Sequence, residues 1–229
     1  MAILTALQSP VLAEDQPNNA DFANQSIEQL MNVDVTSVSR KQQKLSKVPA
    51  AIYVITQEEI TRSGATTIPD VLRMAPGVQV AQVDANRWAI SVRGFNDIYS
   101  NKLLVLVDGR TVYSPSFSGV YWDQIDIPLD TIERIEVVRG SGGTMWGANA
   151  VNGVISIITK SSMDTKGARI SIGGGSTEPG DYLAQYGGKL GSNAAYRTFG
   201  HYSDFNPLTF GSSKADDGWS IGSGGFRLD

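Results

Sequence analysis

The sequence has no cysteine and only one histidine, His201, among its 229 residues. Without cysteine, the chain has no disulfide framework, thiolate metal site or thiol nucleophile. A single histidine cannot supply the paired histidines of an HExxH metal centre. We therefore predict no cofactor and no metal site. We expect His201, which lies among Tyr196, Phe199 and Tyr202, to be a histidine on a strand surface.

Charge is also scarce, at 18% of residues with a formal net charge of -4. A protein that binds nucleic acid needs a basic surface to displace counterions from phosphates, so no nucleic-acid partner is predicted. Glutamates Glu133 and Glu136 are three positions apart in a strand-like run, which should place them on opposite faces and makes them a poor acid/base pair. We predict no catalytic residue and no enzyme.

No stretch approaches the roughly 20 apolar residues that a membrane helix requires. The N-terminus, MAILTALQSPVLAED, has a short apolar run followed by small residues up to Ala13. We interpret residues 1–13 as a partial signal peptide that lacks its basic start, and this implies export. A frayed N-terminus is the alternative. Residues 14–32 are polar and acidic and are expected to form a disordered leader.

The stretch NVDVTSVS, residues 32–39, alternates as a short strand does. A strand without a local partner has a free edge that can pair with another sheet. A plain linker is the alternative interpretation of the same pattern.

A compact α+β module is predicted from Pro49 to Ile158, with AIYVIT as its first buried strand. Thr56 and Glu59 form a capping box for a short helix that Gly64 ends. Thr67 and Asp70 repeat this arrangement for a second helix, and VQVAQV and WAISVRG follow as strands. Within LLVLVDGRTVY, the pair Asp108-Gly109 indicates a type I′ hairpin turn.

After Lys160 the sequence changes to four runs that partly alternate between apolar and polar residues: ARISIGGG, DYLAQYGGKLG, AAYRTFGHYSDF and GWSIGSGGFRLD. Such runs are typical of outer-membrane barrel strands, whose side chains face lipid and lumen in turn. Soluble antiparallel sheets have a similar pattern. Because an open sheet edge is not tolerated in lipid, we expect the sequence to be truncated within its barrel.

The stretch IERIEVVRGSGGTMWGANAVNGVISIITK, residues 132–160, sets two β-branched runs around a glycine-rich turn. It is not a phosphate loop, since Ala148 and Asn149 stand where that motif needs Lys and Ser or Thr. Nor is it a dinucleotide fingerprint, since Met145 occupies the third glycine position.

This stretch does resemble the plug-domain signature of TonB-dependent outer-membrane receptors. AAIYVITQEEITRSGATTIPDVLRMAPGVQV, ISVRGFN and KLLVLVDGRTVY precede it in the family's order. The resemblance implies an α+β plug domain at residues 39–162, followed at 163–229 by the first four or so strands of a transmembrane β-barrel of about 22 strands. The loop glycines Gly140, Gly142, Gly143, Gly147 and Gly153 would then allow close packing, with Met145 and Trp146 filling gaps.

The resemblance also implies site residues. Residues 33–38 would be the TonB box, which binds periplasmic TonB by strand addition. Arg93 and Arg139 would pair with barrel glutamates beyond Asp229, where a bidentate guanidinium is well suited. Ordinary exposed arginines are the alternative. The TonB-binding residues are Val33, Asp34, Val35, Thr36, Ser37 and Val38.

By position, the loops DANRW, NDIYSN and YSPSFSGVYWD would face outward and meet the ligand. Aromatic and amide side chains provide wide, rigid contact there. Packing of these aromatics against the barrel is the alternative. The candidate ligand residues are Arg87, Trp88, Asn96, Tyr99, Tyr113, Phe117, Tyr121 and Trp122.

We therefore expect the N-terminal part of a receptor for active uptake of a scarce nutrient, either a ferric siderophore (a metal chelate) or a cobalamin-like ligand. Its partners would be TonB, energised by ExbB/ExbD, and outer-membrane lipid. A regulatory transducer is rejected, because about twenty residues between Ala13 and Val33 are too few for a signalling domain. A soluble or secreted α+β binding module without a barrel is the alternative, and a nucleotide-binding enzyme a remote one.

Overall fold

The computed structural model describes residues 34–37, 43–44, 46, 50–140, 146–147 and 149–229. The predicted signal peptide and leader lie outside these residues, as do Val33 and Val38 of the predicted TonB box. Within the described part of the chain, no helix is both long and apolar enough to cross a membrane.

The first part is a mixed α/β unit built on a five-stranded sheet of order β3-β8-β9-β6-β7. Strands β6 and β9 are parallel, and the other pairs are antiparallel. Two short helices pack on this sheet. The elements up to β9 are β1 Asp34–Val35, β2 Gln43–Lys44, β3 Ala51–Thr56, α1 Gln57–Ser63, α2 Ile68–Leu72, β4 Val78–Gln82, β5 Trp88–Val92, β6 Leu103–Val107, β7 Arg110–Thr111, β8 Ile132–Arg139 and β9 Gly153–Thr159, with 3-10 turns at Trp122–Gln124 and Leu129–Thr131.

Local sequence signals account for the helix ends and the hairpin. Thr56 and Glu59 form both hydrogen bonds of the predicted capping box, and Gly64 ends α1 in the left-handed conformation. Thr67 caps α2 by accepting from the backbone N–H of Asp70. Asp108 and Gly109 both have positive φ, 48° and 77°, as a type I′ turn requires. These predictions are confirmed.

The core lies between the sheet and the helices. Residues Ile55, Val105, Ile135 and Ile155 are fully buried in it. A smaller cluster on Leu106, Val138 and Val154 includes Trp146 at its margin. Gly153 is needed for close packing, because a Cβ there would lie 2.6 Å from the Val138 carbonyl oxygen. Trp146 and Gly153 thus have the packing roles that the sequence predicts, whereas Gly142, Gly143 and Met145 lie outside the described residues.

The second part is the four-stranded antiparallel sheet that the four alternating runs predict, which we call the wall sheet. Its order is β10-β11-β12-β15, so sequence neighbours pair. A small hairpin interrupts the last connection. The strands are β10 Gly167–Gly173, β11 Gly180–Leu190, β12 Ala194–Phe205, β13 Thr209–Phe210, β14 Ser213–Lys214 and β15 Trp219–Leu228.

The two faces of the wall sheet have opposite polarity. The outward positions are apolar or aromatic and exposed: Ile170, Ile172, Tyr182, Tyr186, Leu190, Tyr202, Phe226 and Leu228. The residues that alternate with these along each strand point inward, towards the first part. They include Arg169, Asp181, Arg197, His201 and Arg227. A sheet in water would bury its apolar face, so this arrangement is that of a membrane wall with a polar interior.

Candidate functional site

The predicted TonB segment has a docked position in the structure. Asp34 and Val35 pair with Lys44 and Gln43 in an antiparallel bridge. The expectation of a strand without a local partner was therefore wrong, because the chain returns and covers the edge eight residues later. Val35 and Ser37 are 1% and 2% exposed.

Glu136 holds this segment. Its carboxylate accepts hydrogen bonds from the backbone N–H of Thr36 at 3.0 Å and of Ser37 at 2.8 Å. Arg134 donates to the same carboxylate at 2.9 Å, and Glu136 is fully buried. A buried charge needs such partners, since burial without them is costly. Sequence analysis missed this role, although an acid set between the apolar residues Ile135 and Val137 of a strand marks a charge that requires a partner.

Three of the aromatic residues that were predicted to contact ligand, Tyr99, Phe117 and Tyr121, pack together, and we call them the aromatic cluster. The Phe117 ring packs edge-on against Tyr99 and Tyr121, with centroid distances of 5.4 and 5.0 Å. Tyr99 and Tyr121 are partly exposed, and Tyr113 is exposed in the same loop. Edge-to-face aromatic packing fixes the rings and leaves their faces open to a ligand.

The remaining predicted ligand residues are not in this cluster. Arg87 forms an ion pair with Asp84, and Asn96 is exposed. Trp88 is half-buried beneath the Arg73 guanidinium, 5.6 Å from its ring centroid. Trp122 belongs to the main core at 7% exposure, so the prediction that it lies on an outward surface was wrong. Its 3-10 turn directs the indole inward while the neighbouring Tyr121 stays outside.

The Asp84 carboxyl is held as a charged acceptor in its loop. Burial opposes the charge, but the Arg87 side chain and the backbone N–H groups of Arg87 and Asn86 donate to it and lower the pKa of Asp84 below its ordinary value. The loop also contacts the wall, since the Ala85 N–H donates to Asp217 at 2.9 Å.

The loop beside the aromatic cluster has an unusual backbone. Arg93, Gly94 and Phe95 are three consecutive residues with positive φ, at 62°, 96° and 58°. Two of them are not glycine, and such conformations persist only where surrounding contacts impose them. Phe95 is 80% exposed. Asn152 donates to the Gly94 carbonyl at 3.3 Å and supports the turn.

Arg93 and Arg139, the predicted partners of barrel glutamates, lie close to the glycines of the plug. Arg139 donates to the Pro76 carbonyl at 3.3 Å, and the Arg93 guanidinium lies beside Gly140. Within the described residues, neither guanidinium forms an ion pair with a carboxylate. Their pairing with a barrel wall stays a prediction.

Other charged groups join the first part to the wall sheet. His201 contacts Asp126 of the first part at 2.9 Å and Asp181 of β11 at 2.8 Å. The expectation of a histidine on a strand surface was wrong, because His201 is on the inward face of β12. Arg197, 4% exposed, donates to the Lys160 carbonyl at 3.0 Å. No group of His, Cys, Asp or Glu in the described ranges is arranged to hold a metal.

A cavity of about 700 Å³ lies between the first part and the inward face of the wall sheet. Trp88, Trp122 and Trp219 line it together with acidic residues. Burial raises the pKa of both Asp123 and Glu178 in its walls above their ordinary values. The plug and wall therefore meet across a cavity with both apolar and acidic lining residues rather than across a continuous apolar core.

A mixed-sheet plug packed on the charged face of a lipid-compatible sheet defines a class of protein, the plugged outer-membrane receptors. Comparison with known families agrees: residues 44–154 match the family described as TonB-dependent Receptor Plug Domain. The match covers just under half of the chain, and over these residues it confirms the resemblance to a plug domain seen in the sequence.

Curated relatives include vitamin B12 transporters. The chain is 40% identical over 144 residues to the vitamin B12 transporter BtuB of Vibrio vulnificus, a match that covers 62% of this chain and 23% of that protein. It is 35% identical over 185 residues to BtuB of Photobacterium profundum, covering 80% of this chain and 27% of that one. The chain thus spans about a quarter of the length of the relatives it matches.

Solved structures with the same fold include two receptors of Pseudomonas aeruginosa. The ferripyoverdine receptor matches with a TM-score of 0.60 at 22% identity, over 76% of this chain and 23% of that chain. The ferric enterobactin receptor PfeA matches with a TM-score of 0.51 at 26% identity, over 70% of this chain and 26% of that chain. The plug and the wall sheet are therefore the fold that sequence analysis expected.

Proposed function

We propose that this chain serves active uptake of a cobalamin-like nutrient across the outer membrane, driven by TonB. The plug occludes the pore, its aromatic cluster contributes to ligand binding, and residues 33–38 are the site at which TonB pulls. The match of residues 44–154 to the TonB-dependent receptor plug domain supports the transport class. The identity of 40% to a vitamin B12 transporter favours a corrinoid over a ferric chelate.

The observation that carries the proposal is the reversed polarity of the wall sheet. Its exposed face bears Ile170, Ile172 and Phe226, while its charged face contacts the plug through residues such as His201 and Arg197. A soluble α+β binding module would expose its charged face to water, so the alternative raised from the sequence is not favoured.

Chemistry at the aromatic cluster agrees with a large planar ligand. Tyr99, Phe117 and Tyr121 offer ring edges and faces, and Tyr121 adds a hydroxyl 3.4 Å from Ser116 Oγ. Rings with few rotamers lose little conformational entropy on binding. No bond of the ligand needs to be broken, so we propose transport without catalysis.

The test is equilibrium binding of radiolabelled cyanocobalamin to outer membranes that contain the protein, followed by uptake in cells with and without functional TonB. We expect saturable binding in both cells and accumulation only with TonB. Ferripyoverdine and ferric enterobactin serve as competitors. Binding of a ferric chelate without binding of cyanocobalamin would reassign the ligand. Accumulation that is equal without TonB would contradict the transport proposal.

A further inference from the structure

The cavity of about 700 Å³ between the plug and the wall sheet has an acidic lining. Its volume lies within the range of about 300–1,000 Å³ that is usual for small-molecule sites. Among the described residues, no lysine or arginine lines it, and His201 is its only basic side chain. A cleft lined by charges of one sign concentrates ions of the opposite sign, so this cavity favours a cation. The carboxylates that line it are Asp70, Asp123, Asp126, Asp130, Glu178 and Asp181.

Four of these carboxylates already have a basic partner within the chain. His201 bridges Asp126 and Asp181, and arginine side chains pair with Asp70 and Asp130. Each of the four is therefore compensated by the protein itself and needs no ligand.

Asp123 and Glu178 are different, because neither forms an ion pair with any residue that the structure describes. The guanidinium of Arg87, which acts on Asp123 electrostatically, is paired with Asp84 instead. Glu178 has uncharged hydroxyl groups as its side-chain hydrogen-bond partners. Burial raises the pKa of both carboxyls, as expected where no cation compensates the charge. Two carboxylates of the cavity thus lack a cationic partner.

Trp122 gives the same cavity a hydrogen-bond donor without an acceptor. Its side chain lines the cavity and is only 7% exposed. Within the described part of the chain, no group accepts a hydrogen bond from its indole N–H. Buried donors normally have a partner, because an unsatisfied one destabilises the folded state. A ligand oxygen would satisfy this donor.

Aromatic rings and hydroxyl groups form further parts of the lining. Trp219 stacks on Phe205 with a centroid distance of 5.4 Å and an interplanar angle of 16°, and both rings line the cavity. Flat aromatic faces attract cations and offer an apolar surface to a ring. Thr66 and Ser176 add hydroxyls, which can donate to and accept from a hydroxylated ligand. The lining therefore suits a ligand that is cationic, hydroxylated and flat on one face.

We propose that this cavity binds a protonated amino sugar. Its ammonium groups pair with Asp123 and Glu178, a hydroxyl oxygen accepts from Trp122, and an apolar ring face lies against Trp219. A simple polyamine would compensate the carboxylates but would leave the Trp122 donor unsatisfied. A neutral sugar would leave both carboxylates without a cation.

This site differs from the one proposed for the corrinoid. None of the three residues of the aromatic cluster lines the cavity. The two sites are nevertheless adjacent in the chain, since Tyr121 belongs to the cluster and Trp122 to the cavity. An amino-sugar site therefore goes beyond the proposed transport function and does not depend on it.

The test compares matched solutes on the full chain in detergent micelles near neutral pH. Three of the four tryptophans line the cavity, so intrinsic fluorescence should report its occupancy. Chitobiose carries amines, N,N′-diacetylchitobiose has the same rings with the amines neutralised, and spermidine has amines without a ring. We expect saturable binding of chitobiose, at least about tenfold tighter than that of either other solute.

Substitutions locate the site. Asp123→Asn and Glu178→Gln keep the size of the side chain and remove its charge, and each should weaken chitobiose binding about tenfold. Trp122→Phe removes the indole N–H and should weaken it about threefold, with the unfolding midpoint measured alongside because Trp122 also packs in the core. Asp216→Asn removes an exposed carboxylate outside the cavity and should leave the affinity unchanged.

Several outcomes would overturn the inference. Equal affinities for chitobiose and its diacetyl form would show that no cation is required. Equal affinities for chitobiose and spermidine would show that charge alone is recognised. Equal losses in Asp123→Asn and Asp216→Asn would show non-specific attraction to an acidic protein, and no saturable binding of chitobiose would remove the site. The titration contains no cyanocobalamin, so its result is separate from that of the corrinoid test.

Discussion

The His201 imidazole lies 2.9 Å from the Asp126 carboxylate and joins the inward face of β12 to the plug. Its other nitrogen is 2.8 Å from Asp181, so one side chain bridges two carboxylates on different parts of the chain. Arg169 and Asp130 form a second ion pair between plug and wall. These contacts, all within the chain, hold the plug in place independently of Arg93 and Arg139.

Replacing His201 should therefore loosen the plug without unfolding it. His201→Ala removes both hydrogen bonds to charged partners, each worth about 1.5–3 kcal/mol. We expect faster release of plug fragments by protease in outer membranes. His201→Gln retains a donor and should show a smaller effect. A protease pattern equal to that of the parent would mean that other contacts alone hold the plug.

The two glutamates beside Arg134 provide a matched pair. Glu136→Ala leaves the guanidinium and two backbone N–H groups without their buried partner and should lower the free energy of unfolding by about 3–5 kcal/mol. Glu133→Ala removes an exposed partner of the same arginine. That change should cost about 0–1 kcal/mol. Urea unfolding of the plug signal would measure both, and equal losses would contradict the assigned burial.

Tyr121 and Trp122 are neighbours with opposite expected roles. Trp122→Ala empties part of the main core and should cost about 3–5 kcal/mol of stability. Tyr121→Ala should leave stability nearly unchanged and weaken cyanocobalamin binding. Unfolding midpoints and equilibrium binding would be measured on both variants. Normal affinity in Tyr121→Ala would remove the aromatic cluster from the ligand site.

Two glycines test close packing. Gly153→Ala brings a Cβ to 2.6 Å from the Val138 carbonyl and should cost about 1–3 kcal/mol through overpacking. Gly200→Ala, on the outward face of the wall sheet, meets no atom within 4 Å. It should be neutral or slightly stabilising. The thermal midpoint of each variant would show the difference.

The Asp84 loop should be sensitive to acid. Hydrogen bonds lower the pKa of Asp84 in the folded chain, so its stabilising contribution is present above its unfolded pKa of about 4 and is lost as pH falls through the lower folded value. Amide exchange at Asn86 and Arg87, corrected for intrinsic rates, should therefore lose protection below about pH 4. Asp84→Asn should remove this pH dependence. Protection that instead falls as pH rises would contradict the sign.

Local chemistry in the sequence predicted much of this fold. Thr56 with Glu59, Gly64, and Asp108 with Gly109 each act over a few residues, so their patterns can be read directly. The wall strands were visible from period-two alternation, which a sheet imposes on its two faces.

Long-range relationships could not be predicted in the same way. The parallel pairing of β6 with β9 joins residues about fifty positions apart, and no local pattern specifies it. Trp122 and Tyr121 have similar sequence surroundings, yet a 3-10 turn buries only one of them. Glu136 binds the backbone of Thr36, and His201 contacts Asp126. Both partners are distant in sequence, so neither contact could be predicted from local pattern.

The reversed polarity of the wall sheet also bears on biogenesis. In water, the outward apolar side chains of the wall sheet, such as Ile170 and Phe226, would form an exposed hydrophobic surface on a newly exported polypeptide. Such a surface promotes aggregation. We expect residues 167–228 to require a periplasmic holdase until they reach lipid, whereas the plug has its own apolar core. Refolding into detergent micelles but aggregation in plain buffer would show this dependence, and a soluble, monodisperse product in plain buffer would contradict it.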